Sequence, residues 1–284
     1  MFYIHLLGPG WSGLEDGRGI RMEKISVYII ALNQEHKIAE AVKSVLWADE
    51  IILVDSNSED RTAEIAAGLG AKVIQVPFEG FGQLRNRAVE ACSFDWVFSL
   101  DSDERCTSDV RDEILEIINS ENPNEVYFIP RQNYFMGRRI RFSGYYPDYR
   151  QPQLFKKGSL VYRMDEVHEG YDLKSKKPPG YLKQPIWQVT FETFAERLQK
   201  IQRYSDLGAI KLNSRGKRTG LGKALSHASW AFFYTWIIRG GILDGWAGFM
   251  IAFGNFEEIF YKYAKVYEMA AVWEYPRVEP IQRI

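Results

Sequence analysis

From Ile25 onward, short apolar runs alternate with segments in which apolar residues recur at helical spacing. Runs of this kind are typical of strands buried on both faces, and the segments between them are typical of amphipathic helices. The alternation predicts successive βαβ units, and therefore an α/β fold built on a mostly parallel sheet with helices on its faces. A chain of 284 residues that is 46% hydrophobic can bury such a core.

The predicted elements can be placed along the chain from these two patterns. Strands are predicted at residues 25–31, 50–54, 71–76, 95–100 and 126–130. Helices are predicted from near residue 33 with an apolar stripe of Ile38, Val42, Val45 and Leu46, from 58 or 60 to 67, and over 81–92 and 110–118. Between 131 and 185 the sequence is rich in aromatic residues and arginine and is predicted to form loops. From Phe191 onward it is predicted to be helical.

Composition and cysteine usage argue against several classes of protein. The 36 basic and 37 acidic residues leave a net charge of -1, and no RNA-binding motif is present, so no nucleic-acid partner is expected. Cys92 and Cys106 form neither a CxxC pair nor a disulfide framework, and reduced thiols in the cytoplasm are predicted. Residues 1–21 lack the features of a secretory signal and are predicted to be a dispensable N-terminal extension.

Polar residues follow three of the predicted strands, at the point where each strand ends. Asn33 and Glu35 follow the first, Asp55 follows the second, and Asp101 and Asp103 follow the fourth. In parallel sheets, ligands bind in a crevice outside the carboxyl ends of the strands. These side chains are therefore expected to converge on one edge of the sheet and to line a binding site there.

The spacing of Asp101 and Asp103 at the end of an apolar strand allows both carboxylates to face one cation. Oxygen ligands suit Mg2+ or Mn2+ and do not suit Zn2+, and such an ion keeps room for phosphate oxygens. A cation there would neutralise a diphosphate and stabilise the charge that develops as it leaves. Two acids at this spacing also occur in turns and helix caps, so the position in the sheet carries most of the argument.

Four elements along about eighty residues resemble the family 2 glycosyltransferases of the GT-A fold. Asn33-Gln34-Glu35 resembles the Asn-x-Glu that ends the first strand of this family, and residues 54–62, Val-Asp-Ser-Asn-Ser-Glu-Asp-Arg-Thr, resemble the segment that ends its second. Arg85-Asn86 matches an Arg-Asn pair in the helix before the Asp-x-Asp strand, which is the fourth element. The resemblance implies a GT-A fold, with a Rossmann-like, mostly parallel sheet flanked by helices.

Nearly all of the chain after Lys24 is similar to one subgroup of that family, the lipopolysaccharide-core β-glucosyltransferases. The similar segments include residues 80–83, 136–148, 154–156 and 167–169. The resemblance implies an inverting, metal-dependent transfer of a hexose, glucose from UDP-glucose, onto the inner core of lipopolysaccharide. Transfer to polyprenyl phosphate or to an exopolysaccharide intermediate is the alternative.

The resemblance also implies roles for individual residues. It places Asp55 against the nucleobase, Arg85 against the nucleotide, and Asp101 and Asp103 on the metal. It adds His168 to the metal ligands, and it adds the following residues to the donor site: Asn33, Glu35, Asn86 and Asp101. Two positions depart from the family pattern, because Ser56 stands where many members have a second aspartate and Gln188 stands where a histidine of the subgroup is expected.

Inverting transfer needs a carboxylate that deprotonates the acceptor hydroxyl as it attacks the anomeric carbon. Glu169 is our candidate, and Glu166 and Asp148 are competitors because sequence gives no distances. The alternative is that His168 and Glu169 pair with each other in a loop and have no catalytic role.

Other enzyme classes lack their motifs at the position where each would require one. A nucleotidyltransferase needs a Gly-rich, basic loop after the first strand, and a nicotinamide dehydrogenase needs GxGxxG there. Residues 31–35 read Ala-Leu-Asn-Gln-Glu instead. A membrane adaptor without enzymatic activity would leave Asp101 and Asp103 unexplained.

The second half of the chain is predicted to face the acceptor and the membrane. Five arginines interleaved with aromatic residues suit an anionic glycolipid, although a solvated basic loop is the alternative: Arg131, Arg138, Arg139, Arg141 and Arg150. Residues 229–238 are too short to span a bilayer, and the basic, aromatic helices around them are predicted to lie in the membrane interface. A packed helical subdomain or dimer surface is the alternative.

These patterns predict three regions and one location. Residues 1–21 form the extension, residues 22–190 the GT-A catalytic domain, and residues 191–284 a C-terminal helical region. Within the catalytic domain, residues 22–104 form the nucleotide-sugar half and residues 105–190 the acceptor half. The protein is predicted to be cytoplasmic and peripherally associated with the cytoplasmic face of the inner membrane.

Overall fold

The computed structural model describes residues 22–164 and 170–271. Its strands are β1 Ile25–Ala31, β2 Glu50–Asp55, β3 Lys72–Gln75, β4 Trp96–Asp101, β5 Glu104–Arg105, β6 Val126–Phe128, β7 Arg131–Phe135, β8 Arg138–Arg139, β9 Pro152–Lys156, β10 Leu160–Tyr162, β11 Tyr171–Leu173, β12 Gly180–Tyr181 and β13 Ile186–Phe191. Its α-helices are α1 Ile38–Lys43, α2 Thr62–Gly68, α3 Phe81–Ala91, α4 Ser108–Ile118, α5 Phe194–Ser214, α6 Leu221–Phe233 and α7 Trp246–Ala270. A π-helical turn, Tyr234–Ile238, and a 3-10 turn, Gly241–Asp244, connect α6 to α7. The predicted extension 1–21 and the candidate residues Glu166, His168 and Glu169 lie outside the described residues.

The central sheet has seven strands in the order β12-β6-β9-β4-β1-β2-β3. Strands β4, β1, β2 and β3 run parallel to one another. Strand β9 is antiparallel to both of its neighbours, β4 and β6. The α/β fold with a mostly parallel sheet is therefore confirmed, and the parallel strands all end at the edge where the polar residues were predicted to meet.

The parallel strands are apolar on both faces because helices cover both faces of the sheet. In β1, Val27 and Ile29 pack in one cluster with residues of α1, α2 and α4, whereas Tyr28 and Ile30 pack in a second cluster with residues of α3. Successive side chains of a strand point to opposite faces, which produces this division. Full burial of each large apolar side chain contributes about 1.5–3 kcal/mol, so the two clusters fix the strand register firmly.

Helix α1 is shorter than its apolar spacing predicted. It begins at Ile38, and residues before it form a turn in which Asn33 has a positive φ of 53°. The helix ends at Lys43, so Leu46 lies beyond it and its side chain is 54% exposed. The prediction that Leu46 belongs to the buried stripe was wrong, whereas Val42 and Val45 are fully buried.

Residues 131–185 contain six short strands, β7 to β12, where the sequence predicted loops. Strand β7 pairs with β13 and β8 in a second, four-stranded sheet of order β5-β13-β7-β8. Its first three residues, Arg131, Gln132 and Asn133, are polar and buried. Their side chains are hydrogen-bonded inside the protein, so β7 shows no apolar run that a pattern could detect.

The predicted C-terminal helical region is confirmed, with α5 and α6 both packed against α7. Phe135, Phe191 and Ile251 form an apolar cluster that joins the second sheet to α7. The buried carboxylate of Asp244 accepts hydrogen bonds from the backbone N–H groups of residues 141 and 142 and from the Ser143 hydroxyl. Across the two described ranges, none of the helices combines the length and the hydropathy needed to cross a membrane.

Candidate active site

A cleft of about 690 Å³ opens at the carboxyl ends of the parallel strands. Three walls of this cleft come from the predicted edge: the turn after β1, the end of β4, and the start of α3. The other walls are the second half of β13 and the first half of α5, and no sequence motif had placed α5 there. Residues of particular interest in the lining are Asn33, Lys37, Ser56, Arg85, Asp101, Asp103, Gln188, Lys200, Arg203 and Tyr204.

The loops after β1 and β2 are held together by hydrogen bonds across the rim of the cleft. The backbone N–H of Asn33 donates to the Ser58 hydroxyl at 2.8 Å, and its side-chain oxygen accepts from the Glu59 N–H at 2.9 Å. The Glu35 N–H donates to Asp60 at 3.0 Å. Asn33 lines the cleft, whereas Glu35 is not among the lining residues. In the structure Glu35 ties one loop to the other.

Asp55 ends β2 with a fully buried side chain. Its Oδ2 accepts from the Ser58 N–H at 2.9 Å, and its Oδ1 accepts from the Ser58 hydroxyl. The neighbouring Ser56 faces the cleft, and its buried hydroxyl has no hydrogen-bond partner among the described residues. The nucleobase contact of Asp55 stays a prediction, and the structure adds Ser56 as a polar group in the same place.

Arg85 reaches the cleft from α3, with only 2% of the residue exposed. Its guanidinium donates to Asp101 Oδ1 at 2.9 Å and to the Ser99 hydroxyl at 3.1 Å. The adjacent Asn86 turns to the other side, where its amide exchanges hydrogen bonds with the backbone of Tyr162 at 2.8 and 3.0 Å. Asn86 does not line the cleft, and in the structure it fixes strand β10 against α3.

The two carboxylates at the end of β4 have opposite pKa shifts. Burial alone would raise the pKa of Asp101, but the nearby cations Arg85, Arg131 and Arg150 together outweigh it, and the pKa lies below its ordinary value. Burial, together with the charge of Asp101, raises the pKa of Asp103. The amide of Gln188 donates to Asp103 at 3.4 Å. Both acids are half-buried, and two carboxylates of like charge at one wall of a cleft favour a cation between them.

The carboxylates of Asp101 and Asp103 meet the requirements of a divalent cation in part. Asp101 and Asp103 both line the cleft and offer oxygen ligands. Within residues 22–164 and 170–271, no group of three potential ligands from histidine, cysteine, aspartate and glutamate comes together. Mg2+ and Mn2+ commonly take one or two carboxylates and complete their shell with water and phosphate oxygens. The pair therefore fits such an ion when it is bound together with a diphosphate.

Glu104 is a buried acid behind this pair that the sequence analysis did not assign to the site. It is fully buried and accepts from the Asp101 N–H at 2.9 Å, from the Gln153 amide at 2.8 Å, and from Arg131 Nε. Burial, with the neighbouring aspartates, raises its pKa, while Arg131 lowers it. Arg131 is therefore part of this internal network, and its prediction as an acceptor-facing arginine was wrong. The sequence did contain a sign of Glu104, because it is the third acid of Asp-Ser-Asp-Glu at the end of a buried strand.

Of the candidate bases, only Asp148 belongs to the described residues. Asp148 forms an ion pair with Arg150 at 2.7 Å and is not among the lining residues. Residues 165–169, which include Glu166, His168 and Glu169, lie outside the described part of the chain. The residues on either side are positioned, because the Arg163 N–H donates to the Gly170 carbonyl at 2.8 Å. Gly82 of α3 lies directly against the Arg163 carbonyl, next to the lining residue Phe81.

Helix α5 contributes a polar stripe to the cleft at positions i, i+3, i+4, i+7 and i+8: Glu196, Gln199, Lys200, Arg203 and Tyr204. Residues at this spacing share one face of a helix. Lys37, in the turn after β1, pairs with Glu196 at 2.9 Å and joins the rim of the cleft to α5. The helical spacing of these polar residues was visible in the sequence, but nothing in it indicated that the stripe faces the end of β4.

Comparison with known proteins identifies the family. The model of the family "Glycosyl transferase family 2" matches residues 26–169, about half of the chain. An uncharacterized glycosyltransferase of Rickettsia felis is 28% identical over 247 residues, covering 81% of this chain and 84% of that protein. The lipopolysaccharide core biosynthesis glycosyltransferase LpsC of Rhizobium meliloti is 26% identical over 270 residues, covering 90% of this chain and 96% of that protein.

A partial likeness to a solved structure completes the comparison. Glucosyl-3-phosphoglycerate synthase from Mycobacterium tuberculosis, solved with Mn2+, UDP and glucosyl-3-phosphoglycerate, is 27% identical. The superposition covers 46% of this chain and 51% of that chain, with a TM-score of 0.34. The family match, together with relatives that share most of their length with this protein, shows that the chain belongs to glycosyl transferase family 2 and is a glycosyltransferase.

Proposed function

We propose that this glycosyltransferase moves a hexose, glucose from UDP-glucose, onto the inner core of lipopolysaccharide with inversion at the anomeric carbon. The observation that carries the proposal is the pair Asp101 and Asp103 at the end of β4, facing a cleft beside the Arg85 guanidinium. The acceptor is supported by the likeness to LpsC, which is named for lipopolysaccharide core biosynthesis. The nucleotide sugar suits a cleft that combines half-buried carboxylates with the buried cations Arg85 and Lys37.

In the proposed site, Asp101 and Asp103 hold Mg2+ or Mn2+, and His168 is a further candidate ligand. When bound, the ion would act as a Lewis acid on the diphosphate of the donor. Arg85 has two functions there: it keeps Asp101 ionised, and it places a fixed positive charge at the wall of the nucleotide site. Ser56 and Asp55 lie at the end of β2, where the nucleobase would bind.

Glu169 is the proposed general base, with Glu166 and Asp148 as alternatives. The base accepts the proton of the acceptor hydroxyl while the hydroxyl oxygen forms a bond to the anomeric carbon. The bond from that carbon to the diphosphate breaks on the opposite face, and its electron pair leaves with the diphosphate. Arg163, six residues before Glu169 in the chain, lies against Gly82 of α3, and the adjacent Phe81 lines the cleft.

An anionic glycolipid acceptor is supported by exposed arginines near the second sheet. Arg138, Arg139 and Arg141 are exposed, and Arg138 lies close to Gly245, at the start of α7. Guanidinium groups bind phosphate through paired hydrogen bonds, which suits a phosphorylated lipid core. The arginines adjoin the C-terminal helices, so the same side of the protein could hold the acceptor and the surface in which it is anchored.

We also propose that the C-terminal helices lie peripherally on the cytoplasmic face of the inner membrane. Between Leu207 and Leu243 the chain has six basic residues and no acid. Many large apolar side chains in and around this segment are exposed, among them Trp230, Phe233, Ile238, Ile242, Leu243 and Trp246. Exposed apolar groups beside basic ones favour the surface of an anionic bilayer over a second protein copy, whose like charges would repel.

The proposed reaction can be tested by calorimetry of UDP binding with and without Mn2+. The wild type should bind UDP at least about ten times more tightly with Mn2+, because the ion links the carboxylates to the diphosphate. Asp103→Asn should lose that gain, and Asp112→Asn, an exposed position on α4, should keep it. The metal site would be refuted if the wild type bound UDP equally well with and without Mn2+. It would also be refuted if Mn2+ increased the UDP affinity of Asp103→Asn as much as that of the wild type. Transfer to a truncated core oligosaccharide, compared with polyprenyl phosphate, would then decide the acceptor.

A further inference from the structure

The polar stripe of α5 is unusual because its central lysine faces the cleft and not the solvent. Glu196 is already paired with Lys37 across the rim. Lys200, one helical turn later, lines the cleft with a half-buried side chain. A surface lysine would extend its amine into water, so the position of Lys200 needs another explanation.

Lys200 has aromatic neighbours but no anionic partner within the described residues. Its amine lies 5.0 Å from the centre of the Phe191 ring and 5.7 Å from that of Tyr204. The structure gives it no hydrogen bond and no ion pair within residues 22–164 and 170–271. Two other cations of α5 and α7 do have a hydrogen-bond or ion-pair partner: Arg197 donates to Asn255 at 3.2 Å, and Lys265 pairs with Asp206 at 2.6 Å. An enclosed amine without a partner is a ready site for an anion.

Lys200 and the acids at the end of β4 line the same cleft. Burial lowers the pKa of Lys200, and the strongest opposing effect comes from Asp103. Asp103 is one of the two residues proposed to hold the metal. A diphosphate bound to that metal would bring its remaining oxygens toward Lys200, which would restore the charge pairing that the enclosed amine lacks.

We propose that Lys200 binds the diphosphate of the nucleotide sugar and stabilises the charge on the leaving nucleoside diphosphate, so that α5 is part of the catalytic site. This rests on the proposed function. As the acceptor oxygen bonds to the anomeric carbon, the bond from that carbon to the β-phosphate oxygen breaks and its electron pair stays on that oxygen. The acceptor proton goes to the general base, and Lys200 remains an ammonium ion throughout. Its contribution is electrostatic.

The test compares UDP with UMP, which lacks the β-phosphate, by calorimetry in the presence of Mn2+. Lys200→Gln removes the charge and keeps a slightly shorter side chain that ends in a hydrogen-bond donor. It should weaken UDP binding by about 10- to 100-fold, in line with the loss of a charge-assisted hydrogen bond, and weaken UMP binding much less. Lys200→Arg should recover part of the loss. Lys223→Gln, an exposed lysine of α6, is the matched control and should bind both nucleotides like the wild type.

The outcomes separate this inference from the proposed function. If the wild type binds UDP with Mn2+ and Lys200→Gln binds it equally well, the role of Lys200 is wrong and the proposed function stands. If Lys200→Gln loses equal affinity for UDP and UMP and also has a lower melting temperature, Lys200 only supports the fold. That result would overturn the role proposed for Lys200. If the wild type binds no UDP with Mn2+, both proposals fail. A lower kcat in Lys200→Gln, partly restored in Lys200→Arg, would support the leaving-group role.

Discussion

Asp101, the last residue of β4, is held in position by hydrogen bonds to both its side chain and its backbone. Arg85 donates to its side chain from α3, and Glu104 accepts from its backbone N–H. Glu104 is itself fixed by Arg131 and Gln153. Displacing a charge in such a buried network would separate it from its partner in a poorly solvated place, which opposes movement. The geometry of the proposed metal site therefore depends in part on Glu104, Arg131 and Gln153, which do not line the cleft.

The two cysteines allow a simple test of the prediction that they are structural. Both are buried, and burial is the main cause that raises the pKa of each thiol to about 12. A raised pKa keeps a thiol protonated, so the reactive thiolate fraction at pH 8 should be on the order of 10⁻⁴. Titration with a disulfide reagent at that pH should therefore proceed slowly in the folded protein. Two thiols should react rapidly after denaturation, and a rapid reaction of either one in the native state would contradict this.

The residues that sequence could identify are those whose position follows from a strand end. Asp101, Asp103, Asn33 and Ser56 end parallel strands or follow them directly, so their convergence on one cleft follows from the sheet. Lys200 lies about a hundred residues further along the chain, and its place depends on how α5 packs. Packing of that kind is decided by long-range contacts that leave no local pattern.

The close contact between α3 and the β10–β11 hairpin gives a sharp prediction for Gly82. A Cβ at this position would lie 1.9 Å from the Arg163 carbonyl oxygen, so Gly82→Ala must push the hairpin away from the helix. Overpacking of this kind costs about 1–3 kcal/mol of the free energy of unfolding. Because Arg163 lies six residues before Glu169, the proposed base, transfer activity should fall as well. Calorimetric unfolding and a transfer assay measure the two effects.

Gly68 of α2 provides the matched control for that substitution. A Cβ there meets no atom within 4 Å, and the residue has no positive φ. Gly68→Ala should therefore leave activity unchanged and shift the free energy of unfolding by at most about 1 kcal/mol, toward higher stability. If the two variants behave alike, the proposed contact between α3 and the hairpin has no consequence.

The apolar strands could be predicted from the sequence, whereas the polar strand β7 could not. Strands β1, β2 and β4 are apolar runs, and the structure places them within a residue or two of their predicted bounds. Strand β7 begins with buried arginine, glutamine and asparagine, which form hydrogen bonds inside the protein to residues of other segments, among them Glu104 and Ile140. Sequence patterns detect burial through apolar residues, so a buried polar strand is indistinguishable from a loop.

The two β-sheets and the C-terminal helices are joined by contacts around the cleft. The Lys37–Glu196 pair, at 2.9 Å, spans the cleft from the turn after β1 to α5. The apolar cluster of Phe135, Phe191 and Ile251 joins the second sheet to α7. A helical region that contacted only the membrane would not need to complete the site. Here α5 lines the cleft with one face and exposes Leu198, Leu207 and Ile210 elsewhere on its surface.

The proposed membrane surface predicts association with anionic vesicles in a flotation assay. The protein should float with phosphatidylglycerol-containing vesicles, float poorly with pure phosphatidylcholine, and be released by high salt, since its basic residues are attracted to anionic lipid. Trp230 and Leu243 are 61% and 66% exposed, and insertion of each into the interface is worth about 1.5–3 kcal/mol. The double variant Trp230→Ser, Leu243→Ser should therefore lose most of the association while still binding UDP.

Leu46→Ser is the control, because Leu46 is 54% exposed but lies on the catalytic half. It should float like the wild type, since removing an exposed leucine outside the C-terminal helices does not change the surface that contacts lipid. Light scattering on the same samples tests the competing explanation, in which a second copy covers the apolar side chains. A wild-type dimer that the double variant converts to a monomer, or flotation that depends on neither phosphatidylglycerol nor salt, would contradict the membrane surface.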